Sequence, residues 1–190
     1  MTTPPEQVKA KAYLREKGTE APVAQIRQRV ADAFATVDTL LDSVTEAQAA
    51  RKAVDDEWCV HEIVDHLVET HPLALEEMRA LMGNRHSPVS PIPAGLQSAR
   101  PMSRRWDDLR ATLRQLHREV LEVLDGAPDR LTEARAPIIM VINVRDAGGS
   151  VKPMHWIEPC DWKACAVIFR LHEMDHLTQA RKALRAIAAG

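Results

Sequence analysis

The chain of 190 residues has few aromatic residues, an odd number of cysteines and no large excess of charge of either sign. Aromatic residues make up 4% of the chain and do not cluster into many short runs with β-branched residues, which argues against an all-β fold. The three cysteines lack the spacing of a disulfide framework and suit a reducing, cytoplasmic compartment. A net charge of −2 gives no basic surface for nucleic acid, so we expect no nucleic-acid partner.

Long hydrophobic runs are also lacking. No run approaches the length that spans a membrane, and the N-terminus lacks the apolar core of a signal peptide, so we expect a soluble protein without a membrane partner. Hydrophobic residues make up 45% and charged residues 27%, which is typical of a globular domain. The length favours one domain with a substantial core. We expect a polar, loosely held tail over residues 1–20 and a single domain over residues 21–190.

Four long segments have apolar residues spaced by three and four, as one buried helix face requires. They cover residues 22–50, 60–81, 103–124 and 161–188. Pro72 lies inside the second segment and predicts a kink or a break there. Long polar connections join the segments. The pattern predicts an all-α fold, a four-helix bundle.

The stretch before the last helix has a different pattern. Residues 137–144 are apolar and β-branched, residues 146–149 have the composition of a turn, and residues 151–157 suit a returning strand. We predict a small β-hairpin that caps one end of the bundle.

Two histidines four residues apart, His172 and His176, stand near the end of the last segment. On a helix they lie on one face and can bind one divalent metal ion together. A third histidine, His66, lies in the second helical segment. Three neutral imidazoles and a water are the ligands of a catalytic zinc-type site. The sequence therefore predicts metal chemistry.

Two known metal-site patterns fit poorly. His172 to His176 spell His-Glu-x-x-His, the zinc-protease pattern, but the 14 residues that follow contain no Asp, Glu, His or Cys to supply the downstream ligand. Glu173-x-x-His176 has the spacing used in di-iron bundles, but such sites need this motif twice, and the chain contains it once. A third ligand must come from upstream.

The motif Trp58-x-x-x-Glu62-x-x-x-His66-Leu67, together with His172-x-x-x-His176-Leu177-x-Gln179, resembles the DinB-like (YfiT) superfamily. The resemblance implies a four-helix bundle with His66, His172 and His176 as ligands of one divalent metal ion. Zinc, nickel and iron all suit three imidazoles. Relatives include thiol S-transferases that use a low-molecular-weight thiol, and maleylpyruvate isomerases, and many form homodimers.

The resemblance implies a metal-dependent enzyme acting on a small molecule, of thiol S-transferase or hydrolase type. The alternatives are a non-catalytic, stress-related bundle that binds a metal or small ligand, and a bundle with purely structural histidines. Glu62 and Gln179 are candidates to accept a hydrogen bond from the second ring nitrogen of His66 and His176, and so to fix the orientation of each ring. Glu173 is a candidate general base, with Asp175 as the alternative, although each is offset by about 100° from its neighbouring histidine on a helix.

The other histidines lack a ligand spacing. His61 is about 140° from His66 on a helix, and we expect it at the surface. His71 and His117 have no partner at helical spacing, and we assign them no role.

Overall fold

The computed structural model describes residues 3–86, 89–145, 149 and 151–189. These residues form six α-helices and one two-stranded sheet. The helices are α1 (Pro5–Leu14), α2 (Val23–Asp42), α3 (Glu46–Ala50), α4 (Val60–Met82), α5 (Trp106–Asp125) and α6 (Trp162–Ala189). The strands are β1 (Ala136–Arg145) and β2 (Val151–Cys160). None of the described helices is both long and apolar enough to cross a bilayer.

Helices α2, α4, α5 and α6 form the bundle. Around it, α2 packs against α6, α6 against α4, α4 against α5, and α5 against α2. Each helix buries a stripe of apolar residues at spacings of three and four, as the sequence predicted. The prediction of a four-helix bundle with a small hairpin before the last helix is confirmed. Of the predicted turn at residues 146–149, residues 146–148 lie outside the described residues.

The end of the first bundle helix and the continuity of the second differ from the prediction. The first bundle helix ends at Asp42, and a separate short helix, α3, follows, with Thr45 at its N-cap accepting from the backbone N–H of Gln48. Helix α4 continues through Pro72 without a break. Proline removes one backbone hydrogen bond, but packing against both neighbouring helices holds the rest of α4 together.

The N-terminal residues correct the expectation of a loosely held tail. Residues 5–19 are helical, first as α1 and then as one π-helical turn, and Leu14 and Gly18 are buried. The polar character of this segment reflects its exposed side, while these two residues pack towards the bundle core. At Gly18 the backbone approaches α6 so closely that an added Cβ would lie 2.9 Å from Cα of Ala164.

We expect Gly18→Ala to destabilise the protein by about 1–3 kcal/mol, because the new methyl group would overlap backbone atoms of α6 that cannot move alone. The measurement is urea denaturation. Gly95→Ala is the matched control, since a Cβ there meets nothing within 4 Å. Equal stability of the two variants would show that the N-terminal segment does not pack on α6 as described.

Candidate metal centre

Three histidine side chains converge between α4 and α6. Nε2 of His172 lies 2.9 Å from Nε2 of His66 and 3.0 Å from Nε2 of His176. The three rings are inclined at 60–78° to one another, so their edges rather than their faces meet. His66 and His176 are buried, and His172 is half-buried. The three histidines singled out in the sequence are thus brought together by the fold.

The protonation state of His66 follows from its second nitrogen. Nδ1 lies 2.6 Å from the carbonyl oxygen of Leu96, which can only accept, so Nδ1 carries a proton and donates. Burial lowers the pKa of His66, so the ring is neutral at pH 7. A neutral ring protonated at Nδ1 has a lone pair at Nε2. His66 therefore directs a lone pair at the other two histidines.

His176 is held in the same way by a side chain. Its Nδ1 lies 3.1 Å from Oε1 of Gln179. The amide nitrogen of Gln179 donates to the Asp175 carboxylate at 3.0 Å, which fixes the amide orientation and leaves its oxygen to accept from His176. Burial lowers the pKa of His176 to about 4. Nε2 of His176 therefore carries a lone pair and faces Nε2 of His172. Gln179 lies where the sequence analysis expected a residue that orients the His176 ring.

The convergence fits a bound cation. Burial, followed by the neighbouring histidines, lowers the pKa of His172 well below its usual value, so this ring is neutral as well. Lone pairs on neighbouring nitrogens repel each other unless a proton or a metal ion lies between them. A cation held by the three nitrogens would bring them close together and balance these lone pairs, and the separations of 2.9 and 3.0 Å from His172 fit that arrangement. Among the described residues, these three histidines form one of two groups that could hold a metal ion.

A loop between α4 and α5 holds the carbonyl that orients His66. The backbone N–H and the hydroxyl of Ser98 both donate to the Asp65 carboxylate at 2.8 Å, and the amide of Gln97 donates to the Glu62 carbonyl at 3.0 Å. Asp65 is completely buried. Leu96 precedes these two anchored residues, so its carbonyl is held in place for His66.

Trp58 lies beside the three-histidine site. Its ring is nearly parallel to that of His176, with centroids 6.2 Å apart, and inclined to that of His66 at 5.1 Å. The indole is half-buried. It packs against two of the three candidate ligands and limits the rotation of their rings.

The family model of the DinB superfamily matches residues 29–180, which include the whole site. The chain belongs to the DinB superfamily. The resemblance of the histidine motifs to this superfamily is thereby confirmed. No curated protein matches the chain in sequence.

A solved DinB-like structure has the same fold. It is YfiT from Bacillus subtilis, described as a probable metal-dependent hydrolase with an unusual four-helix bundle topology. The TM-score is 0.60 at 13% sequence identity, and the match covers 87% of each chain. At this identity the similarity establishes the fold of the DinB-superfamily chain, and its activity has to be argued from its own residues.

Glu62 does not have the role that its spacing suggested. Its carboxylate accepts from the backbone N–H of Cys59 at 2.9 Å and pairs with Lys52 at 3.1 Å. It therefore caps the start of α4, where a carboxylate three residues into a helix can reach back to a free N–H. The carbonyl of Leu96, rather than Glu62, occupies the position behind His66.

Glu173 also differs from its predicted role as a general base. The side chain is completely buried, and its Oε1 lies 3.0 Å from Nε2 of His117 and 2.9 Å from Nε2 of His71. Burial alone would raise the pKa of Glu173, but the contacts with His117 and His71 outweigh it and lower the pKa to about 2. A carboxylate so engaged is a poor proton acceptor for the three-histidine site.

Sequence patterns assign no role to His71 and His117, and the structure places both in this second, buried cluster. A signal was present, because His117 interrupts the apolar stripe of α5 four residues after Leu113 and three before Val120. A polar residue at such a position is buried and needs a partner. His61 corrects a further expectation, since it is 2% exposed and packs against Trp106 instead of lying at the surface.

His117 predicts a pH dependence of stability in the metal-free DinB-superfamily protein. Burial would lower the pKa of His117, but its contacts with Asp38 and Glu173 raise it to about 9. The folded state then binds this proton more tightly than the unfolded chain, whose histidine pKa is about 6.5. The stabilisation is complete below about pH 6.5 and is lost as the pH rises through 9.

We therefore expect the free energy of unfolding of metal-free protein to fall between pH 7 and pH 9.5, and to fall less in His117→Gln. Urea denaturation across this range measures both slopes. The difference between the slopes isolates His117 from other groups that titrate. Parallel curves for the two proteins would contradict the charged state assigned to His117.

Proposed function

We propose that this protein is an enzyme that binds one catalytic divalent metal ion through His66, His172 and His176 and acts on a small molecule. The reaction class is hydrolysis or the transfer of a low-molecular-weight thiol to an electrophile. The observation that supports the proposal is the convergence of three neutral imidazoles, in which Nε2 of His172 lies 2.9 Å from Nε2 of His66 and 3.0 Å from Nε2 of His176. The second group of metal-binding type is completely enclosed and offers no access to a substrate.

The residues of the chain prepare the site in advance. The Leu96 carbonyl and Gln179 fix two rings with their Nε2 lone pairs directed inwards. Three protein ligands leave at least one coordination position for a water, a thiol or a substrate oxygen. Metal bound there supplies Lewis acidity, which lowers the pKa of a bound water or thiol and polarises a carbonyl. His172 is half-buried, and we infer that solvent and substrate approach the site from its side.

Hydrolysis and thiol transfer use the same three ligands, so the ligand geometry supports both. The description of YfiT as a probable metal-dependent hydrolase favours the first. The thiol reaction rests on the resemblance to thiol S-transferases of the superfamily. Imidazole ligands suit zinc, nickel and iron(II), and all three belong in the test.

The test is turnover by protein reconstituted separately with each metal. One assay follows hydrolysis of chromogenic esters and amides, and the other follows loss of a thiol (glutathione, bacillithiol or mycothiol) in the presence of an aryl halide or epoxide. Turnover should disappear with chelator and in His66→Ala, and persist in His155→Ala, an exposed histidine on the hairpin. Bound metal without turnover in any assay would favour the non-catalytic binding protein, and turnover insensitive to chelator would contradict the proposal.

A further inference from the structure

A second cluster of potential metal ligands is not used by the proposed reaction. It consists of His71 from α4, His117 from α5 and Glu173 from α6, and we call it the inner cluster. One ligand atom from each residue lies within 4.8 Å of the others. The three residues are 0–3% exposed, and the inner cluster shares no residue with the three-histidine site.

The contact between His71 and Glu173 has the distance of a hydrogen bond but not its direction. Nε2 of His71 lies 2.9 Å from Oε1 of Glu173, yet neither nitrogen of this ring makes an aligned hydrogen bond to any described residue. Two atoms that bind the same cation lie close together without pointing at each other, because each directs its lone pair at the cation. A buried polar group left without a partner destabilises the folded protein, and a bound cation would remove that cost.

The second oxygen of Glu173 supplies a further donor. Oε2 is buried and has no hydrogen-bond partner in the described part of the chain. With Oε1, Oε2 and the Nε2 atoms of His71 and His117, the inner cluster contains four donor atoms. Four protein donors complete the coordination of a structural zinc site, whereas a catalytic site keeps a position open.

His117 has the environment of a metal-bound histidine. Its Nδ1 lies 3.3 Å from Oδ1 of Asp38, so a proton on Nδ1 faces a carboxylate while Nε2 faces Glu173. Histidine ligands commonly donate their other N–H to a carboxylate in this way. A divalent cation would also balance the negative charges of both Asp38 and Glu173, where a protonated His117 balances one of them.

We propose that His71, His117 and Glu173 hold a second divalent cation, of the zinc class, in a closed structural site. The site joins α4, α5 and α6 in the interior of the bundle. Its enclosure leaves no room for a substrate, so its effect is on stability and on the relative placement of the helices. It is independent of the proposed catalytic site and can exist without it.

The test is a zinc count by elemental analysis on protein refolded with zinc and freed of excess metal. The triple variant His66→Ala/His172→Ala/His176→Ala removes the ligands of the three-histidine site and should retain one zinc per chain. The wild type should hold two, and His71→Ala/His117→Ala should hold one. Circular dichroism checks that each protein is folded, and removal of the last zinc from the triple variant by a strong chelator should lower its melting temperature.

A folded triple variant without zinc would overturn the inner site, whatever the wild type binds. The difference between the wild-type count and the triple-variant count tests the three-histidine site separately. A wild type with one zinc that the triple variant loses would therefore refute this inference and leave the proposed function in place. If His71→Ala/His117→Ala does not fold, the other two counts still decide, and Glu173→Gln replaces it as the variant of the inner cluster.

Discussion

His172→Ala should lower the divalent metal bound by one equivalent per chain and reduce metal-dependent turnover to the level of the metal-free protein. Nε2 of His172 is the nitrogen that lies within 3.0 Å of both other ligands, so its loss removes the centre of the site. Lewis-acid catalysis by a bound metal contributes several kcal/mol to the transition state, so we expect a loss of at least about 1,000-fold in kcat/KM. Elemental analysis and steady-state kinetics measure the two effects.

His155→Ala is the matched control for this experiment, because His155 is exposed on β2 and belongs to neither histidine group. It should keep the wild-type metal content and rate. The folded state of His172→Ala can be checked by circular dichroism. If the variant keeps its full metal content, the metal does not lie among these three histidines, and the proposed ligand set is refuted.

Asp65→Ala should weaken metal binding although Asp65 does not face the metal site. Its carboxylate accepts both donors of Ser98 and contacts Arg104 at 3.3 Å, and it thereby anchors the loop that positions the Leu96 carbonyl behind His66. Groups behind a metal-bound histidine commonly contribute 10–100-fold to metal affinity, and we expect a loss in the range of about 10–100-fold. Removal of the carboxylate also leaves both Ser98 donors without their acceptor, which should cost about 1–3 kcal/mol of stability.

Glu69→Ala is the control that separates the anchoring of the loop from the loss of a carboxylate beside Arg104. Glu69 contacts the same loop residue, Arg104, at 2.6 Å, but it is 29% exposed, and the hydrogen bonds of Ser98 go to Asp65 instead. It should leave zinc affinity, measured by competition with a chromophoric chelator, close to that of the wild type. Asp65→Asn, which keeps the shape and one acceptor oxygen, should recover part of the affinity. Equal affinity in Asp65→Ala and Glu69→Ala would show that the loop does not orient His66.

The bundle and two of the three candidate ligands could be predicted from sequence because both depend on local spacing. A helix face repeats every three to four residues, so the buried positions of α2 and α5 follow from their apolar residues alone. The pair His172 and His176 faces one direction on any helix that contains it. The position of His66 opposite that pair came from the resemblance to the superfamily.

The hydrogen-bond partners that orient the ligand rings were predicted less well, because some of them are far from the histidines along the chain. Gln179 could be chosen because it is three residues from His176 on the same helix. The carbonyl of Leu96, 30 residues from His66, is a backbone group in a loop and has no sequence signature. Glu62 was chosen by local spacing, and a free N–H at the start of α4 takes its carboxylate instead.

The sequence by itself determined which segments are helices, which faces of them are buried, and that His172 and His176 point the same way, because these properties arise within one or two turns of chain. Only the tertiary structure decided which polar groups meet across helices. It placed Glu173 against His71 and His117, 102 and 56 residues away in sequence, and directed its carboxylate away from the three-histidine site. Such contacts depend on the rotation and axial position of packed helices, and these are set by how side chains from all four helices fill the common core.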